Sequence, residues 1–143
     1  MNKKPVTVQS NTGQSKTAQQ WKAQLTDEEY QVCREKGTEQ PFSGELLNNK
    51  QLGIYRCKCC DSELFTSDSK FNSGCGWPSF DKEIKPGAVI YTPDNSLAMQ
   101  RIEITCSQCD AHLGHIFPDG PTDTGQRFCV NSVSMNFKPK PEP

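Results

Sequence analysis

The chain has 143 residues, a net charge of −1 and a hydrophobic content of 33%. This length suits one domain of ordinary size, and so modest a core often needs a metal or covalent link for stability. The pI of about 6.1 indicates no basic surface for nucleic acid, and no apolar run is long enough to span a bilayer. We therefore expect neither a nucleic-acid nor a membrane partner.

The N-terminal region is polar over residues 1–24 and lacks periodicity, which predicts a flexible extension. It has no apolar stretch of the kind found in signal peptides, so we expect a cytoplasmic protein. Organelle targeting by this extension is an alternative, but no arginine precedes Arg34. We expect a single domain over residues 25–138 and a short tail over residues 139–143.

The first ordered element should begin after Thr26. Thr26 and Glu29 have the spacing of a capping box, in which each side chain accepts the backbone N–H of the other residue. Gly37 has the position of a left-handed C-cap. These signals predict a short helix over about residues 27–36.

The rest of the chain has strand composition, interrupted by glycine and proline. Alternation of polar and apolar residues is clearest over residues 101–105. The runs with strand composition are residues 53–57, 63–66, 88–92, 99–106 and 127–137. Because no βαβ pattern occurs, we predict a mainly β domain whose antiparallel sheets form a small barrel-like or sandwich structure.

Four of the eight cysteines form two C-x-x-C pairs, Cys57 with Cys60 and Cys106 with Cys109. Each pair lies at the end of a predicted strand, where a tight turn can direct two sulfurs to one point. Four thiolates make a closed tetrahedral site that suits one structural Zn²⁺ ion. Disulfides and redox motifs are the alternatives for these pairs.

The strand predicted from residue 127 carries Arg127, Cys129 and Asn131 at even spacing. Side chains two residues apart on a strand share a face, and a nearby guanidinium favours the reactive thiolate. We interpret Cys129 as a nucleophile with polar neighbours. A buried strand cysteine that acts as a small hydrophobe is the alternative.

A second notable cysteine, Cys75, lies between two glycines in a predicted loop. Such a loop could bring its thiol to another cysteine, as a resolving thiol requires. Trp77 in the same loop offers a flat apolar wall to a ligand, with an ordinary core tryptophan as the alternative.

The chain's two histidines, His112 and His115, precede Asp119 in a segment rich in glycine and proline, which we predict to be a loop. Two histidines and a carboxylate in one loop are typical of a proton-transfer or polar binding site. A second metal site is the alternative. The loop begins shortly after Cys109, so the predicted metal would hold it in place.

Three motifs closely resemble those of the B-type peptide-methionine (R)-S-oxide reductases: GCGWPSF at 74–80, HLGHIFPDG at 112–120 and RFCVNS at 127–132. The resemblance covers about residues 25–138 and includes both C-x-x-C pairs. It implies an antiparallel β fold with one structural zinc, a catalytic cysteine at Cys129 and a resolving cysteine at Cys75. Cys33 and Cys59 lie outside the family's usual functional set, and we assign them no role.

The resemblance implies reduction of the R epimer of methionine sulfoxide in proteins. Cys129 would attack as a thiolate, and its sulfenic acid would condense with Cys75 to a disulfide that thioredoxin reduces. His115 is our first choice of proton donor. The remaining expected site residues are His112, Asp119, Arg127 and Asn131 for the polar site, and Trp77, Phe80 and Phe117 for substrate contact.

Two other functions remain open at this point. A zinc-stabilised binding module without catalysis would need no reactive Cys129. A free thiol–disulfide oxidoreductase would normally place a C-x-x-C pair at a helix N-terminus, and neither pair opens a predicted helix. We expect the protein to be a monomer.

Overall fold

The computed structural model describes residues 16–95 and 100–140. Among these residues two short helices come first and strands follow. The helices are α1 (Ala18–Gln24) and α2 (Asp27–Glu35), and the strands are β1 (Gly53–Cys57), β2 (Glu63–Thr66), β3 (Lys70–Phe71), β4 (Ser79–Phe80), β5 (Val89–Asp94), β6 (Arg101–Cys106), β7 (His112–Phe117), β8 (Arg127–Val130) and β9 (Met135–Pro139). Neither helix has the length and apolar character needed to cross a membrane.

The strands form two antiparallel sheets, which confirms the predicted fold class. One sheet has the order β2-β1-β9, and the other has the order β3-β4-β8-β7-β6-β5. The core lies where the sheets meet: the ring of Tyr55 in the first sheet is 5.1 Å from that of Phe80 in the second. Phe65 stacks on Phe80 at 4.3 Å between ring centroids. These aromatic contacts bury apolar area from both sheets at once.

The capping box of α2 is present as predicted, because Thr26 and Glu29 exchange side-chain-to-backbone hydrogen bonds. The predicted role of Gly37 is wrong. Lys36, with φ of 60°, takes the left-handed conformation that ends the helix. Gly37 is instead needed for a close approach, since a Cβ at this position would lie 3.0 Å from the carbonyl oxygen of Gln31.

The flexible extension predicted over residues 1–24 is too long, because α1 occupies Ala18–Gln24. Trp21 is only 3% exposed and packs into the core, and the guanidinium of Arg34 lies 4.3 Å from its ring centroid. One buried aromatic residue and a second capping box at Thr17 therefore order this helix despite its polar sequence. Residues 1–15 lie outside the described part of the chain.

The strand predicted over 127–137 is two strands in different sheets. β8 ends at Val130, a 3₁₀ turn occupies Ser132–Ser134, and β9 then joins the three-stranded sheet. They read as one run in the sequence because both strands contribute buried apolar residues, among them Phe128, Val130 and Met135, to the same core.

The segment containing the histidines is a central strand and not the predicted loop. β7 lies between β6 and β8 in the six-stranded sheet. Its glycine, Gly114, serves close packing rather than a turn, because a Cβ there would lie 1.9 Å from the carbonyl oxygen of Cys129. The two histidines are therefore held on a rigid element.

Candidate active site

A cleft of about 260 Å³ opens on one face of the six-stranded sheet. His115 on β7 and Ser79 on β4 are both Cα partners of Cys129 on β8. Cross-strand partners point to the same face, so the sheet register brings His115 and Cys129 together. The cleft is lined by Thr38, Cys75, Trp77, Arg101, Gly114, His115, Phe117, Arg127, Cys129 and Asn131.

The thiols of Cys75 and Cys129 meet in this cleft, with their sulfur atoms 3.1 Å apart. The loop need not travel to bring them together. Gly74 and Gly76, with φ of 78° and 98°, give the loop its left-handed turns. The hydroxyl of Ser73 donates a hydrogen bond of 3.0 Å to the sulfur of Cys75.

At this separation the two thiols interact, so their ionisation belongs to the pair. The hydrogen bond between them lowers the pKa of Cys75 to about 4. The same contact, together with burial, raises the pKa of Cys129, while Arg127 lowers it. These directions favour ionisation of Cys75 over that of Cys129. Transfer of the Cys129 proton to Cys75 gives the Cys129 thiolate, which Arg127 favours.

The guanidinium of Arg127 is fixed by two neighbours. Its Nε donates to Oδ1 of Asp119 at 2.9 Å and its Nη2 donates to Oδ2 at 3.2 Å, a bidentate geometry. It also lies 4.4 Å from the ring centroid of Phe117. The hydrogen bond from Arg127 lowers the pKa of Asp119. Asp119 belongs to the polar site predicted from the sequence, and its side chain accepts hydrogen bonds from Arg127.

Different carboxylates hold the two histidines. Nε2 of His115 lies 2.8 Å from Oδ2 of Asp94, and Nδ1 of His112 lies 2.7 Å from Oε2 of Glu103. His115 reaches the cleft, whereas the side chain of His112 is 4% exposed and does not line it. Burial lowers the pKa of His112, which favours its neutral form.

Trp77 and Asn131 are joined through the backbone of Glu39. The indole N–H of Trp77 donates to the carbonyl oxygen of Glu39 at 3.0 Å, and the N–H of Glu39 donates to Oδ1 of Asn131 at 3.0 Å. The amide of Asn131 also donates to the carbonyl oxygen of Leu113. Asn131 therefore ties three segments together at the edge of the cleft, and Trp77 presents its ring there.

Phe80 does not have the predicted position. It is fully buried among Tyr55, Phe65 and other core residues, so it cannot contact a substrate in the cleft. Phe117, its predicted companion, does line the cleft. Phe80 alternates with Ser79 along β4, and the side chain that faces Cys129 is Ser79.

The sequence analysis did not identify Asp94, Arg101 or Glu103, nor the segment after α2 that contains Thr38 and Glu39. A signal for two of them was available, because Arg101 and Glu103 alternate with isoleucines along β6 and so occupy one face. Thr38 and Glu39 belong to a segment without periodic pattern, and only the fold brings it to the cleft.

The four predicted ligand cysteines form a single cluster whose sulfurs all lie within 4.8 Å of one another. The sulfurs of Cys57 and Cys109 are 3.6 Å apart, and those of Cys60 and Cys106 are 3.5 Å apart. Four sulfurs in a tetrahedron around Zn²⁺ at about 2.3 Å would be separated by about 3.8 Å. The donor set and spacing therefore fit a metal ion of this kind.

The two remaining cysteines, Cys33 and Cys59, are 1% and 5% exposed. Cys33 lies on α2 near the hydroxyl of Ser134, and Cys59 follows the first ligand on the same turn. Neither lines the cleft.

A larger depression of about 530 Å³ lies between α2 and the segment after β8. Its lining includes Glu28, Glu29, Glu39 and Glu45 but neither cysteine nor histidine. It has no nucleophile of the kind found in the smaller cleft.

Together, the fold and site define a class: a small antiparallel β protein with two thiols in contact in a cleft and a four-cysteine cluster that could hold a metal ion. The family comparison is more specific, because residues 25–139 match the SelR domain. The chain belongs to the SelR-domain family.

Several curated relatives that carry the name peptide methionine sulfoxide reductase MsrB are similar over most of their length. The protein from Alteromonas mediterranea is 59% identical, over 82% of this chain and 83% of its own. That from Pseudomonas putida is 58% identical, over 87% and 94%. That from Methanosarcina barkeri is 54% identical, over 89% of each.

Among solved structures, the crystal structure of the Mis18 'Yippee-like' domain is similar, with a TM-score of 0.52 and 15% identity. The match covers 64% of this chain and 100% of that one. At this identity, the likeness concerns the fold alone.

Proposed function

We propose that this protein reduces methionine-R-sulfoxide in oxidised proteins, with Cys129 as nucleophile and Cys75 as resolving thiol. Membership of the SelR-domain family and relatives named methionine sulfoxide reductases support the reductase activity. The observation that carries the assignment of residues is the 3.1 Å separation of the two sulfurs inside a cleft. The activity makes the protein an oxidoreductase of the protein-repair type.

The first step transfers oxygen from the substrate to Cys129. The Cys129 thiolate attacks the sulfoxide sulfur while His115 protonates the sulfoxide oxygen. The sulfur–oxygen bond of the substrate breaks, and a sulfur–oxygen bond forms on Cys129. The substrate sulfur gains two electrons and becomes methionine, and Cys129 loses two and becomes a sulfenic acid.

Arg127 supports this step because it favours the thiolate form of Cys129. Asp119 keeps the guanidinium in one orientation through its two hydrogen bonds, so less side-chain freedom is lost when the charge forms. Without Asp119, Arg127 would retain its charge but lose its fixed direction. This contact is the role we propose for Asp119.

Epimer selection follows from two unlike walls of the cleft. The Trp77 ring, fixed by its hydrogen bond to Glu39, suits the methyl group on sulfur. His115 and Arg127 supply polar groups for the oxygen. Exchanging methyl and oxygen would leave the sulfoxide oxygen against the indole, where it loses its hydrogen bonds.

Recycling consumes the second thiol. Cys75 attacks the sulfenic acid, water leaves, and a Cys75–Cys129 disulfide forms. An external dithiol then reduces the disulfide by exchange, and by family resemblance we propose thioredoxin for this role. We further propose a monomeric, cytoplasmic protein.

We propose zinc as the metal of the four-cysteine cluster. Cys57, Cys60, Cys106 and Cys109 would hold it, and four thiolates leave no open position for a substrate. The ion would supply folding free energy and take no part in the redox steps. A zinc-stabilised binding module remains the alternative function, but it gives no reason for two thiols to meet in the cleft.

An assay with separated R and S sulfoxides and dithiothreitol as reductant tests the proposed function. We expect methionine from the R epimer alone, and Cys129→Ser should abolish it because a hydroxyl is far less nucleophilic than a thiolate. Metal content and the unfolding transition of the variant should match those of the wild type. Absence of reduction by the wild type, or turnover by Cys129→Ser, would contradict the proposal.

A further inference from the structure

His115 has one hydrogen bond that fixes its ring. Nε2 lies 2.8 Å from Oδ2 of Asp94, and both side chains are largely buried, at 13% and 18% exposed. A carboxylate only accepts hydrogen bonds, so Nε2 carries a proton in this contact. Nδ1 has no hydrogen-bond partner among the residues that the structure describes, and it is the ring nitrogen left for a ligand.

Asp94 is itself held in place. It ends β5 and is the Cα partner of Arg101 at the start of β6. Nη2 of Arg101 lies 3.4 Å from the same Oδ2 that accepts from His115. The cation therefore neutralises the carboxylate and limits its rotamers, and both strands are anchored in the sheet that carries Cys129.

The other histidine, His112, also pairs with a carboxylate but does not line the cleft. His112 and Glu103 form a pair with both side chains about 5% exposed, and Lys36 contacts the second oxygen of Glu103 at 3.2 Å. The ring centroid of His112 is 5.7 Å from that of His115, but His112 does not line the cleft. Of the two histidine–carboxylate pairs, the Asp94–His115 pair is the one whose histidine lines the cleft with Cys129.

We propose that Asp94 is a positioning residue for the reductase reaction: it holds His115 through Nε2 so that Nδ1 delivers the proton to the sulfoxide oxygen. This inference rests on the proposed function. His115, with a proton on each ring nitrogen, gives the Nδ1 proton to the sulfoxide oxygen. The Nε2 proton stays on the ring and remains hydrogen-bonded to Asp94. Over the whole step, thiol and sulfoxide become sulfenic acid and thioether, so no net proton is consumed.

The test is a double-mutant cycle on the single-turnover rate with methionine-R-sulfoxide. Asp94→Asn should lower the rate by about 10–100-fold, as for other carboxylates that orient a functional histidine, with KM changed by less than about threefold. His115→Ala should lower the rate further, and adding Asp94→Asn to it should then have no additional effect, because both changes remove one function. Glu63→Gln is the matched control: Glu63 is an exposed carboxylate paired with Arg56 in the other sheet, and its loss should not change the rate.

The inference would be overturned if the rate losses of the two single variants multiplied in the double variant. It would also be overturned if Asp94→Asn were as active as an active wild type. An inactive wild type would instead contradict the proposed function. If a variant fails to fold, a measurement on the wild-type protein still tests the inference. In nitrogen-15 spectra of the two neutral histidines at alkaline pH, His115 should carry its proton on Nε2 and His112 on Nδ1. An Nδ1-protonated His115 would overturn the assignment.

Discussion

At the residue scale, the chemistry of the cleft depends on how one proton is divided between Cys75 and Cys129. Their contact lowers the pKa of Cys75 and raises that of Cys129, whereas Arg127 opposes the rise. In the proposed mechanism, a resolving thiol this close to the nucleophile is in position to condense with a sulfenic acid. The same contact opposes ionisation of Cys129.

Removing Cys75 should therefore make Cys129 more acidic. In Cys75→Ser the contact that raises the pKa of Cys129 is lost while the influence of Arg127 remains, so alkylation of Cys129 should begin at lower pH. Arg127→Ala should shift it in the opposite direction. The measurement is the pH dependence of iodoacetamide labelling of the Cys129 peptide by mass spectrometry. An unchanged or raised pKa in Cys75→Ser would show that the contact does not control this thiol.

The two histidines should differ in what they contribute. His115→Ala should lower the rate constant for sulfoxide reduction by about 10²–10⁴-fold, the usual value of positioned proton transfer, with little change in stability. His112→Ala should chiefly lower the free energy of unfolding, by about 1–3 kcal/mol, because it leaves buried Glu103 short of a partner. Single-turnover kinetics and urea unfolding separate the two effects. A near-normal rate for His115→Ala at neutral pH would show that His115 is not the proton donor.

At the element scale, the sequence predicted strands best where turn residues bound them. β1 and β2 have the predicted limits, and the Thr26 capping box predicted α2. β7 was missed because a glycine such as Gly114 is typical of a loop. In the structure, Gly114 instead allows close packing of two strands. Local patterns also could not reveal that Arg101 and His115 both contact Asp94, since these contacts require three adjacent strands in register.

Element ends also create the four-cysteine cluster. Cys57 and Cys106 are the last residues of β1 and β6, and Cys60 and Cys109 lie on the turns that follow. Cys106→Ser should lose the metal and the cooperative unfolding transition, because binding free energy of a structural metal is folding free energy. Cys59→Ser, on the first of these turns but outside the four-sulfur cluster, should keep both. Metal analysis and thermal unfolding check this, and a folded, active protein without zinc would contradict it.

At the scale of the whole molecule, the metal cluster and the cleft are connected by the segment between β8 and β9. Cys129 lies on β8, Asn131 follows it, and Met135 at the start of β9 pairs with the metal ligand Cys57. The hydroxyl of Ser134 donates to the carbonyl oxygen of His112 at 2.9 Å. Loss of the proposed metal should therefore loosen β8, which carries Cys129, even though we propose no redox role for the ion.

The most direct test of the central claim is peptide mapping of the protein after one equivalent of methionine-R-sulfoxide. The wild type should release one methionine and contain a Cys75–Cys129 disulfide. Cys75→Ser should also release one methionine, stop at a Cys129 sulfenic acid that dimedone traps, and lose turnover with thioredoxin while keeping part of its turnover with dithiothreitol. A wild-type disulfide that joins Cys129 to Cys33 or Cys59, or an unmodified Cys129 after methionine release, would contradict the account.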